Sequence, residues 1–379
     1  MRTGRRPPPS LRFSSSDQPK VASPVRNPNN RLARSLARTA LILTSATAVV
    51  FGMTACGGTG TESADGKTVT VYSADGVGEW YKTQFDKFKE QTGIAVNLVE
   101  AGSGEVVNRV EKEQSNPQAD VLVTLPPFMQ KADQSGLLEP SGIDTSAVAE
   151  SDKDPNGKYV MMAGNYLCFI ANPSVNVAGM TWDDLLKPEY RGKIQYSTPG
   201  QAGDGTAVLI LLQQLYGKQG ALDYLAKLQE NNVGPSSSTG KLQAKVDKGE
   251  ILIANGDIQM NMANIKEKGS KFTVFFPADA DGRASTVPVP YLMGLAKGAP
   301  HQAEAKQLME FLLSAEAQQA LPNSFAIPAR QELRGVMSSG GATNPAVLLQ
   351  NVQIIYPDWA QVLTDLDADL AAYQQATGQ

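Results

Sequence analysis

One stretch constrains the fold more than any other: Val69-Thr-Val-Tyr-Ser-Ala-Asp-Gly-Val-Gly78, close to where the globular part of the chain begins. Val69, Val71 and Tyr72 are strand formers, residues 73–78 are mostly small and flexible, and Trp80, Tyr81, Phe85 and Phe88 recur at helical spacing. The spacing predicts a buried strand, a tight loop and a helix. The helix N-terminus directs unsatisfied N–H groups over the strand's carboxyl end, where open α/β sheets bind their ligands.

The same alternation recurs along the chain. Gly93-Ile-Ala-Val-Asn-Leu-Val99 reads as a second strand, followed by Glu100-Ala-Gly-Ser-Gly104 and a helix from Glu105 to Gln114. Asp120-Val-Leu-Val-Thr124 is a third strand, closed by Leu125-Pro-Pro127. Alternating elements of this length imply a mostly parallel sheet. Three of its strands then end in Ser73, Ser103 and Thr124, small hydroxyl residues brought to one edge.

The apolar segment 159–171 is long enough to run from one domain into another, and Pro288–Ala296 suits the return. Between them the pattern repeats. Lys193-Ile-Gln-Tyr-Ser197 is a strand, Thr198-Pro-Gly-Gln-Ala-Gly-Asp-Gly-Thr206 a Gly-rich loop, and an apolar helix follows at once. Gly205 and its neighbours let an anion approach the backbone, and Ser197 and Thr206 add hydroxyl donors. The loop lacks a Walker lysine, which excludes the usual nucleotide hydrolysis. Pro235-Ser-Ser-Ser-Thr-Gly-Lys241 is a second polar cluster, and the strand 249–257 ends by presenting Asn255 and Asp257. Helices are predicted over 303–321 and over 347–375, the latter with a break near Pro357.

Charge is unevenly distributed. Residues 1–55 hold nine of the 34 Lys and Arg but only one of the 38 Asp and Glu, so the body after them is acidic. An acidic body argues against a nucleic-acid partner, because phosphate backbones need a basic face. Arg31, Arg34 and Arg38 precede the apolar run 40–53, which ends in Met53-Thr-Ala-Cys56. That order is a secretory signal, with residues 1–55 as leader; the run is short of the roughly 20 residues a membrane span needs. Its ending resembles a bacterial lipobox, with Met53 in place of the usual Leu, and predicts lipidation of Cys56. Residues 56–67 then form a Gly/Thr/Ser-rich linker.

With Cys56 lipidated, Cys168 stands alone as a small buried hydrophobe and no structural disulfide is expected. Two cysteines and one histidine, His301, cannot make the usual zinc site, and His301 is in the wrong setting for a Ser–His–Asp or Cys–His pair. No enzyme and no cofactor is expected.

The chain after residue 67 resembles the substrate-binding lipoproteins of ATP-driven importers, in the class related to ferric-iron and thiamine binding proteins. The resemblance is carried by Val69–Gly76, Ala119–Gly136, Tyr190-Arg-Gly-Lys-Ile194, Gly249–Asp257 and Gly294-Leu-Ala-Lys-Gly298. Within that class it is most similar to 2-aminoethylphosphonate-binding members, through Tyr72–Tyr81 and Val121-Leu-Val-Thr-Leu-Pro-Pro127. The resemblance implies a type II, two-lobed periplasmic-binding-protein-like α/β fold, each lobe a mostly parallel sheet flanked by helices, joined by hinge crossovers. Lobe 1 is then residues 68–165 with 295–379, and lobe 2 is 166–294.

It also implies a monomeric receptor outside the cytoplasm, anchored to the outer face of the membrane. Such a receptor closes on a small phosphonate and delivers it to a permease of an ABC transporter. Ferric members carry adjacent tyrosines after the strand corresponding to Ile251–Ala254; this chain has Asn255-Gly-Asp-Ile-Gln259 there, which disfavours iron. Thiamine, polyamines and phosphate remain as alternative solutes, and a lipid-anchored phosphoester hydrolase as an alternative class. A phosphonate needs several N–H and O–H donors. Ser73, Gly76, Ser103, Gly104, Thr124, Ser197, Gly205, Thr206, Ser238, Thr239 and Asn255 are the candidates. Asp75, Asp257 and Tyr291 are candidates to hold the ligand ammonium. Trp80 and Tyr166 are aromatics that either line the cleft or belong to the core.

Overall fold

A computed structural model describes residues 67–334 and 345–378. The leader, Cys56 and the linker up to residue 66 lie outside the described residues.

The strands, in chain order, are β1 (Thr68–Ala74), β2 (Ala95–Ala101), β3 (Val121–Thr124), β4 (Leu138–Glu139), β5 (Tyr159–Gly164), β6 (Leu167–Ala171), β7 (Ile194–Gln195), β8 (Ile253–Asp257), β9 (Thr273–Phe275), β10 (Ala284–Thr286), β11 (Tyr291–Ala296), β12 (Ile327–Pro328) and β13 (Val352–Ile354). The helices are α1 (Gly78–Thr92), α2 (Ser103–Lys112), α3 (Phe128–Gln134), α4 (Gly203–Leu228), α5 (Gln243–Asp247), α6 (Ile258–Lys268), α7 (Gln302–Leu312), α8 (Ala315–Ala320), α9 (Gln331–Arg334), α10 (Pro345–Leu348) and α11 (Trp359–Thr377).

A seven-stranded sheet runs β12-β5-β11-β3-β1-β2 with β4 paired to β11, and a four-stranded sheet runs β7-β8-β6-β9. In the larger sheet β1 is central, parallel to both β2 and β3. Val69, Val71 and Tyr72 are buried there, and α1 lays Trp80, Tyr81, Phe85 and Phe88 into the same core. Each such side chain contributes roughly 2–3 kcal/mol of hydrophobic burial. The predicted first βα unit is therefore real, and Trp80 is core, its indole N–H donating to the Ala317 carbonyl.

The sheets are mixed rather than mostly parallel. The expectation holds for β1–β2, β1–β3 and β7–β8. It fails for β11, antiparallel to β3, β4 and β5, for β12 against β5, and for β6 against β8 and β9. The cause is the way the chain changes sheets. Only Asn165 and Tyr166 separate β5 in the larger sheet from β6 in the smaller, so β6 enters without a helical crossover to turn it parallel. β11 likewise comes back directly after Val287–Pro290.

Two helix predictions also change. The 303–321 helix breaks into α7 and α8 at Ser314, whose hydroxyl caps α8 by accepting the Ala317 N–H. The 347–375 stretch contains β13, which pairs with β10, so the helical part is α11. α11 touches both bodies: Tyr373 shares a hydroxyl hydrogen bond with Tyr196, and Asp367 pairs with Lys131 of α3.

Candidate functional site

The carboxyl ends of β1, β2 and β3 face the loops that follow β7 and β8. At that junction the N-termini of α2 and α4 meet. Gly104, in the first turn of α2, donates its N–H to the Gln201 carbonyl just before α4, at 2.9 Å. A Cβ on Gly203 would lie 2.8 Å from the Ser103 hydroxyl oxygen, and one on Gly102 would lie 2.3 Å from the Ser237 carbonyl. Between them is a cavity of about 10 Å³, lined among others by Asp75, Ser103, Gly203, Asp204, Thr239 and Met260. That is room for about one water molecule.

The end of α4 is open to an anion, whereas at α2 the Gly104 N–H is already taken by the Gln201 carbonyl. α4 starts from Ala202 with no side-chain cap, so the N–H groups of its first turn have no carbonyl one turn back to accept them. α2 starts from Gly102, which has no side chain to cap it; Glu105 reaches back to the Gly102 N–H at 3.1 Å. Aligned peptide dipoles add partial positive charge at both ends.

The smaller body holds this edge with a buried polar lattice. Asn255, on β8, accepts the Ser197 N–H at 2.8 Å and donates to the Ser197 hydroxyl at 3.0 Å; Thr239 donates to the same hydroxyl at 3.0 Å. Gly205 is required because a Cβ there would lie 2.0 Å from the Ser197 carbonyl. These bonds fix Ser197, Thr239 and the start of α4 as one unit.

Two carboxylates, Asp75 and Asp204, line the cavity, and Asp257 lies close enough to act on them electrostatically. Asp75, just past β1, accepts the Ser238 hydroxyl of the other body. Asp257 caps α6 with one oxygen, which accepts the Met260 N–H at 2.7 Å, while its Oδ2 is buried without a partner. Asp204 in the first turn of α4 is 2% exposed, and its Oδ1 also has no partner. Burial pushes the Asp257 carboxyl up to about 6, against its hydrogen bonds and helped by the Asp75 charge. Burial first, then the Asp257 charge, pushes Asp204 well above the usual carboxylate range. Glu100, at the end of β2, is raised for the same reasons, burial and then Asp75.

Of the predicted residues, Asp75, Ser103 and Thr239 line the cavity, and Gly104, Ser197, Gly205, Ser238, Asn255 and Asp257 belong to the segments packed around it. Four others reach the region with hydroxyls already engaged or with no side chain to offer. Ser73 donates to the Ala74 carbonyl, Thr124 to the Ser103 carbonyl, and Thr206 to the Ala202 carbonyl. Gly76 takes φ +123°, and a Cβ there would lie 1.9 Å from the Tyr291 hydroxyl oxygen. Tyr291 itself is fully buried, and its hydroxyl donates to the Asp75 carbonyl at 3.0 Å, which makes it a clasp for the loop. Tyr166 lies elsewhere, in a cavity of about 700 Å³ behind the two crossovers with Pro288 and Trp359.

Sequence reasoning missed three residues. Asp204 was inside the Gly-rich loop and its signal was a lone acid at a helix start. Gly102 carries no signal without its neighbour Ser237. Gln259 accepts the Val77 N–H at 2.9 Å and donates to the Ser324 carbonyl at 3.0 Å, tying the α1 loop to α6. Val77 is β-branched at φ 51°, a strained conformation held at the edge of the site.

Cys168 is buried with its thiol pushed up by desolvation, and Asn261 donates to its sulfur. His301 is exposed and pairs with Asp120, which also accepts the Thr70 and His301 backbone N–H groups. Among the described residues no His/Cys/Asp/Glu group is arranged to hold a metal, and no described helix is long and apolar enough to cross a membrane.

Two mixed sheets joined by direct crossovers, with a polar cavity between their facing edges, define a two-lobed periplasmic-binding-protein fold. Residues 116–361 match the model of the bacterial extracellular solute-binding protein family, and the chain belongs to that family. Over 316 residues it is 45% identical to a Salmonella typhimurium protein named "Putative 2-aminoethylphosphonate-binding periplasmic protein", covering 82% of this chain and 92% of that one. Among solved structures it is similar to the periplasmic binding protein AfuA from Actinobacillus pleuropneumoniae with fructose-6-phosphate bound. The TM-score is 0.71 and the identity 19%, over 82% of this chain and 99% of that one. Iron-bound HitA from Pseudomonas aeruginosa aligns with a TM-score of 0.66 at 20% identity, over 82% and 99%.

Proposed function

We propose that this chain is the solute receptor of an ATP-driven importer and that its ligand is 2-aminoethylphosphonate. The observation that carries the reading is the meeting of two helix N-termini, α2 and α4, across a cavity also lined by the Asp75 and Asp204 carboxylates. Helix ends suit the phosphonate oxygens, and carboxylates suit an ammonium a few atoms away. The similarity to the Salmonella protein points to the same solute.

Lobe 1 carries the larger sheet and lobe 2 the smaller, hinged at Gly164–Leu167 and at Val287–Tyr291, so that β11 goes with lobe 1 and the second boundary falls before residue 291 rather than at 294. Ligand contacts both facing edges and so favours the closed arrangement by differential affinity. The closed form is what a membrane permease docks on. The leader directs export, Cys56 carries the lipid, and the receptor acts as a monomer that leaves its solute chemically unchanged.

Calorimetric titration of the soluble body with 2-aminoethylphosphonate, inorganic phosphate, a polyamine and ferric citrate tests this. Saturable binding of 2-aminoethylphosphonate, with a melting temperature raised by several degrees, is the expected result. Iron binding without phosphonate binding would overturn it. Turnover of p-nitrophenyl phosphate would restore the hydrolase reading.

A further inference from the structure

We propose that Asp204 is the specificity-determining residue of the cleft: with Asp75 it holds the ligand ammonium, and it turns away anions that lack one. The inference rests on the phosphonate reading and assigns its selectivity to one side chain.

The three acids come from separate elements: Asp75 follows β1, Asp204 opens α4, and Asp257 ends β8. Asp204 lines the cavity with Asp75, and its Oδ1 is buried with nothing to accept from; Asp257 lies outside the lining, with the Asn165 amide beside its carboxyl. Leaving a buried acceptor unmade costs about 1–3 kcal/mol, more when charged, so the Asp204 oxygen awaits a donor. The groups facing Asp204 are the Thr239 hydroxyl and the two other acids, and no Lys or Arg is among the residues lining the cavity. A primary ammonium brings three N–H donors and one positive charge, which suits the Asp204 and Asp75 carboxylates on the cavity wall.

The same group explains rejection. Crowding and burial already drive Asp204 and Asp257 toward their neutral forms. An inorganic phosphate would add negative charge without compensation, whereas the zwitterion brings its own counter-charge. Helix ends alone would accept either.

The test compares 2-aminoethylphosphonate, ethylphosphonate and inorganic phosphate on the wild type, on Asp204→Asn and on Asp204→Ser, with circular dichroism to confirm folding. Asparagine keeps shape but removes charge, and a hydrogen bond to a charged group corresponds to a change of about 10- to 100-fold. Asp204→Asn is expected to weaken 2-aminoethylphosphonate by that factor while ethylphosphonate and phosphate hold or tighten, and Asp204→Ser to do the same. An unchanged preference for the amine, whether the ligands keep their affinities or lose them equally, would overturn the role. A wild type that binds no phosphonate would sink the function reading and this inference with it. A wild type that binds 2-aminoethylphosphonate, with a variant that keeps the preference, removes Asp204 alone.

Discussion

Gly102→Ala places a wedge between the two bodies without touching either core. The Gly102 backbone, φ −62° and ψ 151°, suits any residue, so the glycine is not there for conformational freedom. What excludes a methyl is the opposite edge: its Cβ would sit 2.3 Å from the Ser237 carbonyl and 3.4 Å from the Gln201 carbonyl. The first distance must grow by about 1 Å to reach ordinary contact. The facing segment resists moving alone, because Ser236 donates its N–H to the Thr198 hydroxyl at 3.0 Å and its own hydroxyl to the Ser238 carbonyl at 2.9 Å.

The bodies must therefore part, and overpacking of this kind costs about 1–3 kcal/mol. That cost falls on the arrangement in which the two edges meet, so affinity for a ligand held between them drops about 5- to 150-fold. The melting temperature without ligand stays at the wild-type value. Titration calorimetry and thermal unfolding, with Gly78→Ala as control because nothing lies within 4 Å of a Cβ there, read both quantities. An affinity within about twofold of wild type would refute the wedge argument, and so would a collapse in melting temperature.

Asp75→Asn should weaken 2-aminoethylphosphonate more than methylphosphonate; equal losses remove Asp75 from the ammonium site. Asn255→Ala leaves the buried Ser197 N–H without its acceptor and should lower stability by about 1–3 kcal/mol in chemical denaturation, and an unchanged midpoint would contradict the lattice described above. Asp257, with its carboxyl at about 6, binds its proton more tightly folded than unfolded. Stability of the free protein should therefore fall as pH rises from the ordinary carboxylate range through about 6, relative to Asp257→Asn. Affinity for the amine ligand should rise through the same window, and a flat wild-type-minus-variant difference would refute this.

The βα units were legible because their signals are local: hydrophobic period, small residues at strand ends, and glycine before a helix. Strand direction was not, because it depends on whether the chain crosses between bodies in two residues or twenty, as Asn165 and Tyr166 illustrate. At the site, residue types were legible and partners were not. Ser73, Thr124 and Thr206 are hydroxyls at the right edge, yet backbone carbonyls claim them. Asp204 and Gly102 matter through residues far away in sequence, Asp257 and Ser237. Tyr291 reads as an aromatic partner for a cation until burial and the Asp75 carbonyl show what its hydroxyl already does.

The fold alone does not choose between iron and a phosphonate, since structures aligned with this chain include both an iron-bound and a sugar-phosphate-bound protein. The choice lies in the donor atoms. A ferric ion prefers hard anionic oxygens, and a phenolate must first lose its proton. Tyr81 and Tyr291 are both fully buried, and burial drives both phenols upward, with the Asp257 and Asp204 charges adding to the shift on Tyr291. The Tyr81 hydroxyl is 3.1 Å from that of Ser73, and Tyr291 donates to the Asp75 carbonyl. Both tyrosines therefore stay neutral and hold the protein together. What remains facing the cavity is the start of α4, neutral hydroxyls and the Asp75 and Asp204 carboxylates, which suits a molecule carrying a negative and a positive end a short distance apart.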